Sequence, residues 1–154
     1  MSARPRRWTA WLIPALAVAA DRVAKELAVG LPAQGVTLIP GVLGLRWAEN
    51  RGIAFSLFSG RPVLLGVLSL ALLLLAGRLL RGRVRGALPR AGLLLMLGGA
   101  LGNLPDRLFR GYVPDMIETL FIPFPIFNVA DACLTVGCAL VLFSLLFRPR
   151  DWAL

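Results

Sequence analysis

Phe127 to Phe147 reads FNVADACLTVGCALVLFSLLF, an almost unbroken apolar run with an acid, Asp131, near its start. A helix needs about 20 predominantly apolar residues to cross the hydrocarbon core of a bilayer, so this run is long enough to span one. A carboxylate at the centre of such a span costs about 2.5 to 3.5 kcal/mol on insertion scales, and less when it lies one turn in from the end. Asn128, Asp131, Thr135 and Cys138 follow at steps of three, four and three. That spacing gives one weakly polar stripe, expected to face the interior of a helix bundle.

Working outward, the 154-residue chain is 58% hydrophobic with a mean hydropathy of +0.77, well above the roughly 45–50% apolar content of soluble domains. Four runs qualify as spans, near residues 8–29, 62–80, 90–109 and 127–147, within one integral membrane domain covering 1–154. The expected fold is an all-α membrane protein, a four-transmembrane-helix bundle with a small extracytoplasmic β segment and a surface-lying, lid-like connection. The β segment is read from GVTLIPGVLGLRWAENRGIAFSLFSG, where Pro40 and Gly41 interrupt helical patterning and Leu43, Leu45 and Trp47 alternate with Gly44, Arg46 and Ala48.

The net charge of +9 comes in blocks beside the spans. Arg4, Arg6 and Arg7 precede the first, Arg78, Arg81, Arg83, Arg85 and Arg90 surround the second connection, and Arg148 and Arg150 follow the last. The positive-inside rule then puts both termini in the cytoplasm and makes nucleic acid an unneeded partner. Trp8, Trp11 and Trp152 fall at the inner boundaries and Trp47 at the outer one, as interfacial anchors would. Cys133 and Cys138 read as core filler, and the absence of histidine removes His-containing triads and His-ligated zinc sites. ARPRRWTAWLIPALAVAA also resembles a signal peptide with an A-x-A at Ala17 to Ala19, so the sequence pattern alone leaves removal of the first span open.

Chemistry gathers near the outer ends of spans three and four. In LGGALGNLPDR, Gly98 and Gly102 permit close helix approach, Gly99, Asn103 and Asp106 share a stripe, and Pro105 is expected to kink or end the helix. Asp115 lies on the following connection behind Pro114, and the apolar MIETLFIPFPIFNVA with Pro123 and Pro125 is expected to fold back and bring Asp115 toward Asp131. Two carboxyls sharing one low-dielectric site cannot both ionise cheaply, so the pair titrates as a unit and offers a base and an acid together. This is the chemistry of metal-free peptide hydrolysis. Buried structural acids or an ion site remain the alternatives at this point. Asp21 and Lys25 stand in the favourable order for an i,i+4 ion pair, and NRGIAF at 50–55 is an isolated turn-like pattern.

Asp21 with Lys25, NRGIAF, GGALGNLPDR from Gly98 to Arg107, VPDM from Val113 to Met116, and FNVAD from Phe127 to Asp131 together resemble the bacterial lipoprotein signal peptidases, or signal peptidase II, in the family's order and over nearly the whole chain. The resemblance implies an aspartic endopeptidase of the bacterial inner membrane with catalytic Asp115 and Asp131 at the extracytoplasmic side. It implies that Asn50, Gly52, Asn103, Arg107 and Asn128 line or shape the substrate pocket, and that Asp21, Lys25 and Asp106 support the active-site architecture. It also implies a diacylglyceryl-modified prolipoprotein as substrate, cut on the amino side of the lipidated cysteine, with globomycin-type inhibitors and membrane lipid as the other partners. No metal or cofactor, a retained first span and a monomer are expected. Pro105, Pro114 and Ala132 depart from residues common in the family, at the local helix end and in the hydrogen bonding around Asp131. The rival classes are a small proton or ion translocator built on Asp21, Lys25 and Asp131, and a non-catalytic scaffold packed through Gly98 and Gly102.

Overall fold

The computed structural model describes residues 9–52 and 61–153. Arg4, Arg6, Arg7 and Trp8 of the first basic block, and Ile53 to Phe55 of NRGIAF, lie outside the described residues. After a 3-10 turn at Thr9–Trp11 come α1 (Leu12–Ala28), β1 (Val36–Ile39), β2 (Leu43–Asn50), α2 (Pro62–Leu79), α3 (Ala87–Pro105), β3 (Val113–Thr119) and α4 (Val129–Phe147). Three helical stretches are long and apolar enough to cross a membrane: α2, the run Ala87–Arg110 and α4. This is a multi-pass membrane protein. Helix α1 is shorter, at 17 residues, and carries Asp21, Arg22, Lys25 and Glu26 in its second half.

Glycine decides how the helices approach. A methyl group added at Gly98 would lie 2.7 Å from Ala17 Cβ, and one at Gly102 would lie 2.9 Å from Asp21 Oδ2, so α1 runs parallel to α3 along the small-residue face. On the other side of α3, a methyl at Gly92 would meet the Gly137 carbonyl at 2.8 Å, while Gly99 abuts Ala130 and Leu134. Helix α4 therefore descends antiparallel to α3. Gly66 of α2 faces Arg107 and Leu108, which makes α2 antiparallel to α3 as well.

Pro105 ends the α-helical hydrogen bonding but not the helical course. Asp106–Arg110 continues as one π turn, closed by Gly111 N–H donating to the Asp106 carbonyl at 3.0 Å with Gly111 at φ 76°. Proline has no N–H to give, and widening the turn by one residue absorbs the break. Asp106 is buried and Arg107 half-buried as a result.

The β segment is larger than the sequence suggested. Strands β1 and β2, within the expected β segment, form a hairpin about Gly41 at φ 71°, and Val113–Thr119 adds β3 in the antiparallel order β1-β2-β3. Ala48 pairs with Asp115 and Asn50 with Val113. From the end of β3 the chain loops through Phe121 and Phe124, both exposed, and returns to pair Ile117 with Phe127. Met116 and Ile117 N–H both donate to the Phe127 carbonyl, at 3.0 and 2.8 Å. That return sets the start of α4 against β3.

At the opposite end, Arg85 and Gly86 N–H donate to the Asp151 carbonyl and Ala153 N–H to the Arg83 carbonyl. The α2–α3 connection and the C-terminal arginines thus share one end of the bundle. Three expectations need correction. Trp152 is not an interfacial anchor: it is buried, its indole N–H donating to Ser144 Oγ at 3.0 Å. The α4 stripe divides, with Asn128 inside the bundle while Thr135 and Cys138 are exposed. Both cysteines are free thiols, and neither is buried as core filler would be, because α4 turns Ala130 and Gly137, not this stripe, toward α3.

Candidate active site

The site is built on the first turn of α4. Asn128 is its N-cap: its side-chain oxygen accepts from Asp131 N–H at 2.9 Å, and Asp131 Oδ2 accepts in return from Asn128 N–H at 3.3 Å. This reciprocal capping box satisfies two backbone donors that a helix start would otherwise leave unpaired, and it fixes the Asp131 carboxylate against its own helix. A third donor, Ala130 N–H, is met from α1 by Asp21 Oδ1 at 2.8 Å.

Behind the cap lies a buried polar network. Lys25, fully buried, places its ammonium 2.7 Å from Asp21 Oδ2, 2.8 Å from Asp106 Oδ2 and 2.9 Å from Asn103 Oδ1. An ammonium has donors only, so Asn103 must turn its oxygen toward Lys25. Its amide group then points the other way and donates to Asp131 Oδ1 at 2.8 Å. The same logic orients two more amides. Asn128 spends its oxygen on Asp131 N–H and aims its amide group at Asp115 Oδ1, 2.6 Å away. Asn50 accepts from Gly52 N–H at 3.0 Å and donates to Asp115 Oδ2 at 3.0 Å. Three donors that cannot reverse, Lys25, Asp131 N–H and Gly52 N–H, thereby make three amides present hydrogen to the two carboxylates.

Asp115 and Asp131 are thus tied through a single residue, Asn128. Asp115 is buried, and burial first and the neighbouring Asp131 charge second push its pKa up to about 7, against the opposing pull of the Asn50 and Asn128 hydrogen bonds and of Lys25. Asp131 opens onto a cavity of about 530 Å³ walled by Phe124, Ile126, Phe127, Leu134 and Val136, with Asn50, Arg107 and Thr135 as polar lining. Arg107 reaches back to Ser69 Oγ of α2 at 3.5 Å.

Residues 13–147 match the family model described as signal peptidase (SPase) II. The chain belongs to the signal peptidase II family. It is 42% identical over 112 residues to a lipoprotein signal peptidase of Lactobacillus johnsonii, covering 72% of this chain and 73% of the relative. It is 39% identical over 142 residues to that of Lactiplantibacillus plantarum, covering 90% and 95%. A solved bacterial membrane enzyme superimposes with a TM-score of 0.82 at 29% identity, covering 91% of this chain and 88% of the other.

Within this signal peptidase II chain, Asp115, Asp131, Asn50, Gly52, Asn103 and Asn128 form one hydrogen-bonded cluster, and Arg107 joins it at the cavity wall. Asp21, Lys25 and Asp106 do not line the cavity. They stand one layer behind, touching it through Asn103 and through Ala130 N–H. Asp106 also faces outward, its Oδ1 lying 3.3 Å from Arg22 and 3.6 Å from Arg110. Sequence reasoning missed the capping box, although Asn-x-x-Asp ahead of an apolar run is a short-chain variant of the usual signature, a capping residue followed three positions on by Glu or Gln. It also missed Ser69, whose only signal was a lone hydroxyl in an otherwise aliphatic helix.

Proposed function

We propose that this protein is an intramembrane aspartic endopeptidase that removes the signal peptide from diacylglyceryl-modified prolipoproteins, cutting on the amino side of the lipidated cysteine. The observation that carries the reading is the Asp115–Asn128–Asp131 connection at the edge of an apolar cavity. The pair shares one proton. The ionised carboxylate takes a proton from a water as its oxygen attacks the scissile carbonyl carbon, and the protonated partner gives its proton to the carbonyl oxygen. The resulting diol collapses with the C–N bond breaking, the proton gained by the base passing to the leaving nitrogen while one diol hydroxyl returns its proton to the other carboxylate, which restores the shared proton. Arg107, beside Asp131 in the cavity wall, is positioned to hold a substrate carbonyl, and Asn50, Asn103 and Asn128 keep the two carboxyls aimed.

In this reading α1 is the fourth crossing, the arginine-rich end lies in the cytoplasm, and the sheet and dyad lie at the outer face of the bacterial inner membrane. The substrate helix enters from the lipid along the exposed Thr135 and Cys138 side of α4, and the loop through Phe121 and Phe124 closes over it as a lid. Globomycin-type inhibitors compete for the same cavity. The enzyme works as a monomer without a metal or other cofactor.

The test is cleavage of a purified diacylglyceryl-modified prolipoprotein by wild type, Asp115→Asn and Asp131→Asn in detergent micelles, with a chelator as control. Each substitution is expected to lower turnover by at least about 10³-fold while the thermal transition persists. Undiminished cleavage by either folded variant, or strong inhibition by the chelator, removes the dyad mechanism.

A further inference from the structure

Between α2 and α3, toward the end that carries their connection, lies a cavity of about 270 Å³ lined by Leu73, Gly77, Leu80, Val84 and Leu97, with Arg81 its one charged residue. A side-chain carbon at Gly77 would find nothing within 4 Å, so the crevice is open there. A cavity with aliphatic walls has too few polar partners to hold ordered water, and most of its lining belongs to two stretches apolar enough to cross a membrane.

The same corner carries an unusual density of charge. Arg78, Arg81, Arg83, Arg85 and Arg90 are all exposed, and among the described residues none of them forms an ion pair. The connection holds three of them on a tight turn, with Gly82 at φ 77° and Arg83 N–H on the Leu80 carbonyl. The C-terminal segment fixes that turn through its bonds to Arg83, Arg85 and Gly86.

We propose that the α2–α3 crevice binds one anionic phospholipid, an acyl chain between the helices and the phosphate on Arg81, the arginine that lines it. One molecule meets both demands, since its tail fills the apolar space and its headgroup accepts the charge-assisted hydrogen bonds that guanidinium groups make best with phosphate. A leaflet-wide charge attraction, as orientation alone requires, would make every exposed arginine equivalent. A built site makes Arg81 special. The site lies at the far end of the bundle from the dyad and does not depend on the catalytic reading.

The experiment compares wild type, Arg81→Gln, Gly77→Leu and Arg90→Gln in nanodiscs of phosphatidylcholine with and without phosphatidylglycerol. Lipid retention is read by native mass spectrometry and the thermal midpoint by intrinsic fluorescence. Wild type and Arg90→Gln are expected to retain one phosphatidylglycerol and to gain the same rise in midpoint when it is present. Arg81→Gln, losing the headgroup partner, is expected to retain it about tenfold less, and Gly77→Leu, filling the crevice, to lose the rise. Equal effects of Arg81→Gln and Arg90→Gln, or equal retention of phosphatidylcholine by wild type, overturn the proposal. Should Gly77→Leu not fold, the two arginine variants decide alone.

Discussion

Replacing Lys25 by methionine separates the support of the site from its chemistry. The ammonium is fully buried between two carboxylates, Asp21 and Asp106, that are each 1% exposed. Removing one partner of a buried ion pair costs about 3–5 kcal/mol, because the charge left behind has neither partner nor water. Here two charges are left, but Asp21 keeps Ala130 N–H and Asp106 keeps Arg22 and Arg110 on its outer oxygen. The expected loss is therefore about 3 kcal/mol, the lower end of that range. Equilibrium unfolding in mixed micelles reads it, and a cycle with Asp21→Asn is expected to give a coupling of about 1–3 kcal/mol, since the second change removes the charge the first one stranded. Asn103, freed of the donor that held its oxygen, then loses its fixed orientation toward Asp131, so cleavage falls in the fraction that remains folded. A Lys25→Met protein within about 0.5 kcal/mol of wild type, the range of an ordinary surface change, would refute the reasoning.

The raised Asp115 carboxyl and the close α3–α4 contact carry the remaining expected outcomes. Asp115 titrates near 7 in the folded protein against 3.8 as its ordinary value; a raised carboxyl contributes stability fully present below the lower value and lost as pH rises through the higher one. The stability of wild type is thus expected to decline between about pH 4 and pH 7 through this group, with that part of the slope absent in Asp115→Asn, and cleavage is expected to fall above about pH 7 as the shared proton is lost. A pH–rate profile flat to alkaline values argues against a proton held on this pair. Gly137→Ala is expected to destabilise by about 1–3 kcal/mol, because its methyl would lie 2.6 Å from the Gly92 carbonyl and 2.7 Å from Met96 Cγ; a midpoint unchanged from wild type in the same unfolding assay would show that α3 and α4 can separate at no cost.

The helices were legible because hydropathy over a span is a long, redundant signal, and the small residues at Gly98 and Gly102 mark the α1–α3 contact that the structure contains. Asp115 and Asp131 were legible as acids in an apolar setting. Strand β3 was not: VPDMIET carries a proline at its second position, and its first four residues are all buried, so no alternation of inside and outside survives in the sequence. The depth of Asp21, Lys25 and Asp106 was half legible, since i,i+4 spacing announces a pair within α1 but says nothing about the third member arriving from the π turn after Pro105. Nor does a periodic stripe on α4 disclose where the neighbouring helix stops, which is why Thr135 and Cys138 seemed internal.

The reciprocal cap at the head of α4 has a mechanical consequence. Asp131 Oδ2 accepts from Asn128 N–H and Oδ1 from Asn103, while Asp115 gives one oxygen to Asn50 and the other to Asn128. No oxygen of either acid is idle, so a proton arriving on Oδ2 weakens a bond that starts the helix. Under the mechanism proposed above, each hydrolytic cycle would then loosen and retighten the first turn of α4, and a vibrational or exchange signal from the Asn128 amide would beat in time with turnover.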